Sequence, residues 1–141
     1  MRHMPVISDF MTPFPYTISS SESLKRAKEL MYANSIRHLP VVENGVPVGI
    51  LTDRDLKLAQ AVTREEKFDE KWKVEDICVH DVYVVPRSTS ADVVLLHMAK
   101  ERLGSALITD DGRLAGIFTV TDACKLFSGY LRTHYESECG D

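Results

Sequence analysis

Cysteine is scarce in this 141-residue chain: Cys78, Cys124 and Cys139 are its only three, and no two stand at CxxC spacing. That argues against a disulfide framework and a zinc knuckle, and makes reduced thiols in a cytoplasmic protein the expectation. Positive charge is in short supply too. Lys and Arg number 17 against 21 Asp and Glu, a net charge of -4, so neither nucleic acid nor an acidic membrane surface is an expected partner. No stretch reaches the roughly 20 apolar residues that cross a bilayer, and Met1 to Pro5 lacks the apolar core of a signal peptide. HExxH, Walker-loop and nucleophile-elbow patterns are missing, so no catalytic residue, no metal and no enzyme activity are expected. What remains is 44% hydrophobic and 27% charged. That balance suits a globular fold of one ordinary domain or two very small ones.

An internal repeat favours two. A shift of 67 positions lays Asp9 on Asp76, Tyr16 on Tyr83, Ser21 on Ser88, Met31 on Met98 and Gly45 on Gly112. Without a gap it also lays Gly49 on Gly116, Ile50 on Ile117, Thr52 on Thr119 and Asp55 on Asp122. Chance identities scatter over many offsets; a single register points to a duplicated supersecondary unit.

Each unit reads β-α-β-β-α. Tyr16-Thr17-Ile18 and Val82 to Val85 are β-branched and aromatic runs, hence first strands. Ser19 to Ser23 and Ser88 to Ser90 then announce helices, with Thr89 and Asp92 spaced as a capping box. Asn44-Gly45 and Asp111-Gly112 lie between apolar runs and mark hairpins. Asp53 to Ala61 and Val120 to Leu131 read as closing helices. The expected division is a first repeat at 7–61, a charged, solvated linker at 62–73 with Trp72 pinning it to the core, a second repeat at 74–131 and a flexible tail at 132–141. A three-stranded sheet with helices on one side leaves its other face bare. The two units should therefore pack pseudo-symmetrically, with a cleft between them.

The endings Gly49-Ile50-Leu51-Thr52-Asp53-Arg54-Asp55 and Gly116 to Asp122 share Gly, two apolar residues, Thr, two variable residues, Asp. Gly is expected at the turn into the strand, Thr at the strand-to-helix junction and Asp in the helix's first turn. There a hydroxyl can donate to phosphate, and a carboxylate can accept from ribose hydroxyls. Thr-x-x-Asp is equally a capping box, and both readings stand on the sequence.

The duplicated unit, the opening Ser8 to Thr12, the run His38-Leu39-Pro40-Val41-Val42 and the two Gly-x-x-Thr-x-x-Asp endings together resemble a tandem pair of cystathionine-β-synthase (CBS) domains, over about Ile7 to Leu131. The resemblance implies an α/β (α+β) fold of two CBS repeats. It also implies a regulatory module, needing no cofactor, that binds AMP, ADP, ATP, S-adenosylmethionine or NAD between the repeats. Such a module usually forms a homodimer and signals to a client protein. Carried across, Asp55 and Asp122 are the ribose acids, and Thr52 and Thr119 lie near phosphate. Thr17, Ile18, Val84 and Val85 line the adenine pocket, and His38 to Pro40 and Ser105 to Leu107, Ala106 among them, give backbone contacts to the base. Arg37 and Arg54 supply cations to the first site, where Gly104 and Thr121 supply none to the second, so the first is expected to prefer the phosphorylated ligand. The opening Cys78-Val79-His80 departs from Met11-Thr12-Pro13, with Cys78 read as a small apolar residue. The rival reading is a ligand-independent dimerisation module.

Overall fold

The computed structural model describes residues 2–136. Its elements follow the chain as a 3-10 turn (Ile7–Asp9), β1 (Thr12–Pro13), α1 (Leu24–Asn34), β2 (His38–Glu43), β3 (Val46–Thr52), α2 (Asp53–Thr63), α3 (Phe68–Lys71), α4 (Val74–Ile77), β4 (Val84–Pro86), α5 (Ala91–Glu101), β5 (Ser105–Asp110), β6 (Arg113–Thr119) and α6 (Val120–His134). The fold is mixed α+β. Both hairpins turn through Asn44-Gly45 and Asp111-Gly112, all four residues at positive φ. That is the backbone of the tight turns that twist with their strands.

Each sheet differs from the simple three-stranded expectation because the opening segments change places. β1, from the start of the chain, pairs antiparallel with β6 of the second unit, extending its sheet to the order β1-β6-β5-β4. Reciprocally, Val79 at the start of the second unit bridges Ile50 in β3 of the first, beside the β2-β3 hairpin. Three backbone hydrogen bonds repeat under the 67-residue shift. Ile7 N–H donates to Thr89 O (2.7 Å), Ser8 N–H to Arg87 O (3.2 Å) and Ala91 N–H to Pro5 O (2.9 Å). Their mates are Val74 to Glu22 (2.9 Å), Glu75 to Ser20 (3.0 Å) and Leu24 to Trp72 (3.2 Å).

The cores are exchanged with the strands. Ile7 is fully buried among Val85, Val94, Met98, Ala106, Ile108 and Phe118 of the second unit, whereas Val74 and Cys78 are buried with Leu24, Leu39, Val41 and Leu51 of the first. Ile50, Leu107 and Ile117 form a third cluster where the hairpins meet. Close approach of the crossing segments explains Gly49 and Gly116, which lie inside strands β3 and β6 rather than at a turn. A Cβ at Gly49 would meet Val79 O at 2.9 Å, and one at Gly116 would meet Thr12 O at 3.0 Å and the Met11 side chain.

Several local expectations change. Of the first strand only Ile18 pairs, bridging Val41, because Pro40 in β2 has no N–H to give Tyr16 O the bond that Leu107 N–H gives Tyr83 O (2.9 Å) in the second unit. Its counterpart β4 pairs in parallel with β5 over three residues. Thr89 and Asp92 make no capping box: Ser90 is the N-cap of α5. The charged linker is pinned to the first core at Trp72 as expected, and at Phe68 as well. Phe68 is 2% exposed in the first core, with Trp72 packed against that core. Ion pairs Lys25–Glu70 and Lys28–Asp69 tie α3 to α1. α6 stays helical through His134; the rest of the expected tail, 137–141, lies outside the described residues.

Replacing a buried Ile by Ala typically costs about 2–5 kcal/mol. Ile7→Ala should lose that much by urea denaturation, and should weaken amide-exchange protection in β5 and β6 more than in β2 and β3. A loss confined to the first hairpin would contradict the exchange.

Candidate functional site

Crossing of the opening segments brings the two Thr–Asp junctions to the seam between units. Each junction is a full capping box. Asp55 N–H donates to Thr52 Oγ1 and Thr52 N–H to Asp55 Oδ2, both at 3.1 Å. In the second unit Asp122 N–H donates to Thr119 Oγ1 (3.2 Å), while Thr119 N–H (2.9 Å) and Oγ1 (3.1 Å) donate to Asp122 Oδ2. The boxes are satisfied by one carboxylate oxygen each. Among the described residues neither Oδ1 has a hydrogen-bond partner, and each half-buried carboxylate borders a cavity. Capping and ligand contact therefore do not compete for the same oxygen.

The Asp55 cleft holds about 220 Å³ and is lined by Ile50, Thr52, Asp55 and Val79, with Leu103, Gly104, Ser105 and Arg102 entering from the second unit. His38, Asp81, Val82, Tyr83 and Leu107 complete it. The Asp122 cleft, about 530 Å³, has the repeat mates Ile117, Thr119, Asp122 and Thr12, with Ile36, Arg37, His38 and Ser35 entering from the first unit, plus Thr121 and Lys125. A third groove of about 530 Å³ runs past Thr52 between Arg37, His38, Asp53, Arg54, Lys57 and Gly104. In both clefts one unit gives the Thr and Asp, and the other gives the turn leading into its hairpin.

That trans construction changes the placement of the expected site residues. Thr52, Asp55, Thr119, Asp122, His38 and Arg54 line these cavities. Arg37 does not belong to the first site alone. It lines the Asp122 cleft and the outer groove, while its repeat mate Gly104 faces Asp55. Ile18, Val85 and Ala106 are core residues, 4%, 7% and 0% exposed, and Pro40 is fully buried. Thr17 and Val84 are exposed and line none of the three cavities. Apolar walls come instead from Ile50, Val79, Val82, Tyr83 and Leu103, and charge comes also from Arg102, Lys125 and Asp81. Apart from Ile50 and Lys125, which share a unit with the acid of their cleft, these residues reach the clefts from the other unit, so periodicity within one repeat carries no trace of them. The one usable signal was their shared 67-residue register, as in Arg102 with Ser35 and Leu103 with Ile36.

Burial raises the Tyr83 hydroxyl's pKa, and its ring lies 4.2 Å from that of His97. His97 is exposed. Burial, then the charges of Asp55 and Glu75, push the Cys78 thiol up, which keeps it protonated and unreactive in the first core. Among the described residues no group of three or more His, Cys, Asp or Glu could hold a metal ion, and no helix is long and apolar enough to cross a membrane.

His38 borders both clefts, its Nε2 near the position a Cβ on Gly104 would take, at 3.8 Å. Burial lowers its pKa from the ordinary 6.5, against smaller upward pulls from Asp122 and Asp55. An unfolded chain then takes up this proton first, so the contribution is present above pH 6.5 and is lost as pH falls through the lower folded value. His38→Gln should remove that part of the acid limb, read as a smaller drop in urea-denaturation stability between about pH 7.5 and 5.5.

Comparison with known proteins agrees with this architecture. The family model for the CBS domain matches residues 7–61 and 74–129. The L-aspartate semialdehyde sulfurtransferase of Methanocaldococcus jannaschii is 30% identical over 126 residues, which are 88% of this chain and 23% of that enzyme. The CBS domain-containing protein YhcV of Bacillus subtilis is 29% identical over 119 residues, 84% of this chain and 83% of that protein. The chain thus spans less than a quarter of the enzyme but most of YhcV. Among solved structures, the CBS domain pair of protein MJ0100, in complex with 5′-methylthioadenosine and S-adenosyl-L-methionine, superposes with a TM-score of 0.78 at 28% identity, covering 91% of this chain and 99% of that one. Two matched repeats, two exchanged cores and two clefts built across the seam place the chain in the CBS domain family, as a tandem pair.

Proposed function

We propose that the chain is a regulatory module that binds adenosine-containing ligands, such as AMP, ADP, ATP, S-adenosylmethionine or NAD, in the clefts between its repeats and passes the bound state to a client protein. One observation carries this: Asp55 and Asp122 each line a cleft and commit only Oδ2 to the capping box, beside a Thr at a helix N-terminus. A ribose diol is suited to the carboxylate oxygen left over, and a phosphate to the positive end of the helix, where the Asp53 and Val120 N–H groups are taken by Arg37 O and Gly104 O and, among the described residues, the Arg54 and Thr121 N–H groups stay open. The complex of the MJ0100 pair with two adenosyl compounds supports the same ligand class. Arg37 and Lys125 border the Asp122 cleft, for which the sequence supplied no cation, whereas the Asp55 cleft sets Asp81 against Arg102. Phosphorylated ligands are favoured beside Asp122, and S-adenosylmethionine or methylthioadenosine beside Asp55.

A bound ligand changes the pairing of the repeats only through different affinity for two arrangements. A surface suited to transmit that change lies on the helices of the second unit. Leu96, Phe127 and Tyr130 are 72%, 60% and 53% exposed, and Phe10, Leu95, Ala123 and Leu126 form an apolar groove next to them. Such a face favours a homodimer.

Calorimetric titration of a panel of adenosine compounds tests the reading. Asp122→Ala should abolish the stronger ADP site, and Asp55→Ala the stronger S-adenosylmethionine site, each loss being about tenfold or more. No heat with any compound would leave the Thr–Asp boxes as caps in a structural dimerisation module. Phe127→Glu should shift a dimer to monomer in sedimentation; an unchanged mass would place the interface elsewhere.

A further inference from the structure

The repeat symmetry of the clefts fails at one place, and there the charge is concentrated. Arg37 and His38 occupy the turn into β2, where the second unit has Gly104 and Ser105. Both side chains line the Asp122 cleft, reaching the side that holds Thr119, and both line the outer groove that holds Thr52 and Arg54. His38 also lines the Asp55 cleft. The two Thr–Asp junctions thus share a single Arg–His pair, where full symmetry would have supplied one pair each.

Building on the adenosyl reading above, we propose that the two clefts are antagonistic toward phosphorylated ligands and independent toward unphosphorylated ones, because one Arg37–His38 pair serves the phosphate end of both. Arg37 is exposed and its long side chain can turn to either seat; a guanidinium paired with one phosphate is lost to the other. The second ligand then meets the repulsion of the first without its counter-charge. Other cations do not restore the balance. Lys57 is already paired with Asp53 at 2.9 Å, and Arg54 and Lys125 each line only one of the two seats. His38 registers both sides, since Asp122 and Asp55 each pull its pKa upward against burial. The other charged groups facing it are Arg102 and Asp81 in the Asp55 cleft.

Coupling is read by comparing products of binding constants. Asp55→Ala and Asp122→Ala each isolate one cleft, and the product of their two ADP association constants is what independent sites would give the unmutated chain. The product of its stepwise constants for ADP should fall short by about tenfold or more. For adenosine the two products should agree, and Arg37→Gln should bring them together for ADP as well. Agreement for ADP in the unmutated chain, or an equal shortfall with adenosine, overturns the proposal. Sodium tripolyphosphate separates this from failure of the adenosyl reading. Saturation at one per chain, lost in Arg37→Gln, with no adenosine binding at all, would reject adenosyl ligands and leave the shared seat standing. Two independent tripolyphosphate sites, binding indifferent to Arg37→Gln, or no binding of either probe would overturn the shared seat.

Discussion

Everything in this molecule depends on one exchange: the segment that opens each repeat completes the core of the other. Ile7 is fully buried in the second unit and Val74 in the first, and each is locked by the same set of backbone hydrogen bonds. A unit of about 60 residues buries too little surface to be comfortable alone. Lending a buried side chain and a strand edge to its neighbour turns two marginal cores into one cooperative body. It also removes two exposed edges: β1 covers β6, and Val79 covers β3.

The same exchange makes the clefts. Once the openings cross, the two strand-to-helix junctions are carried to the seam, and each faces the hairpin turn of the opposite unit. The Thr–Asp box is then both structural and available, because only one carboxylate oxygen is held by the helix N-terminus. Rigid caps hold the free oxygens in fixed positions, which lowers the ordering cost of taking up a ligand. Where the two halves differ, the difference is local. Pro47 has no N–H, so the contact by which Leu114 N–H reaches Gly45 O at 2.8 Å has no mate.

Much of the fold was legible because duplication leaves a register that needs no structure to see. The hairpins at Asn44-Gly45 and Asp111-Gly112, the helices and the pairing of units all follow from local patterns. The exchange was not legible: Ile7 looks the same in a sequence whether it packs on its own unit or the next. The junction acids and hydroxyls were found because they form a motif within one repeat. Their opposite walls, Leu103 and Arg102 at one cleft and Ile36 and Ser35 at the other, leave no such motif, and neither does the reach of Arg37 to the Asp122 cleft as well as to the groove beside Thr52, because a trans site is invisible to reasoning confined to one unit. Ile18, Val85 and Ala106, read as pocket lining, are taken up by the cores. Gly49 and Gly116, read as turn residues, serve the close passage of a crossing segment.

A crystal structure of the chain grown with ADP tests the central claim most directly. The account predicts ribose hydroxyls on Asp122 Oδ1, phosphate beside Thr119 and Arg37, and the base against the seam between units. An ADP molecule held within a single unit, or one that leaves both junction carboxylates untouched, would contradict it.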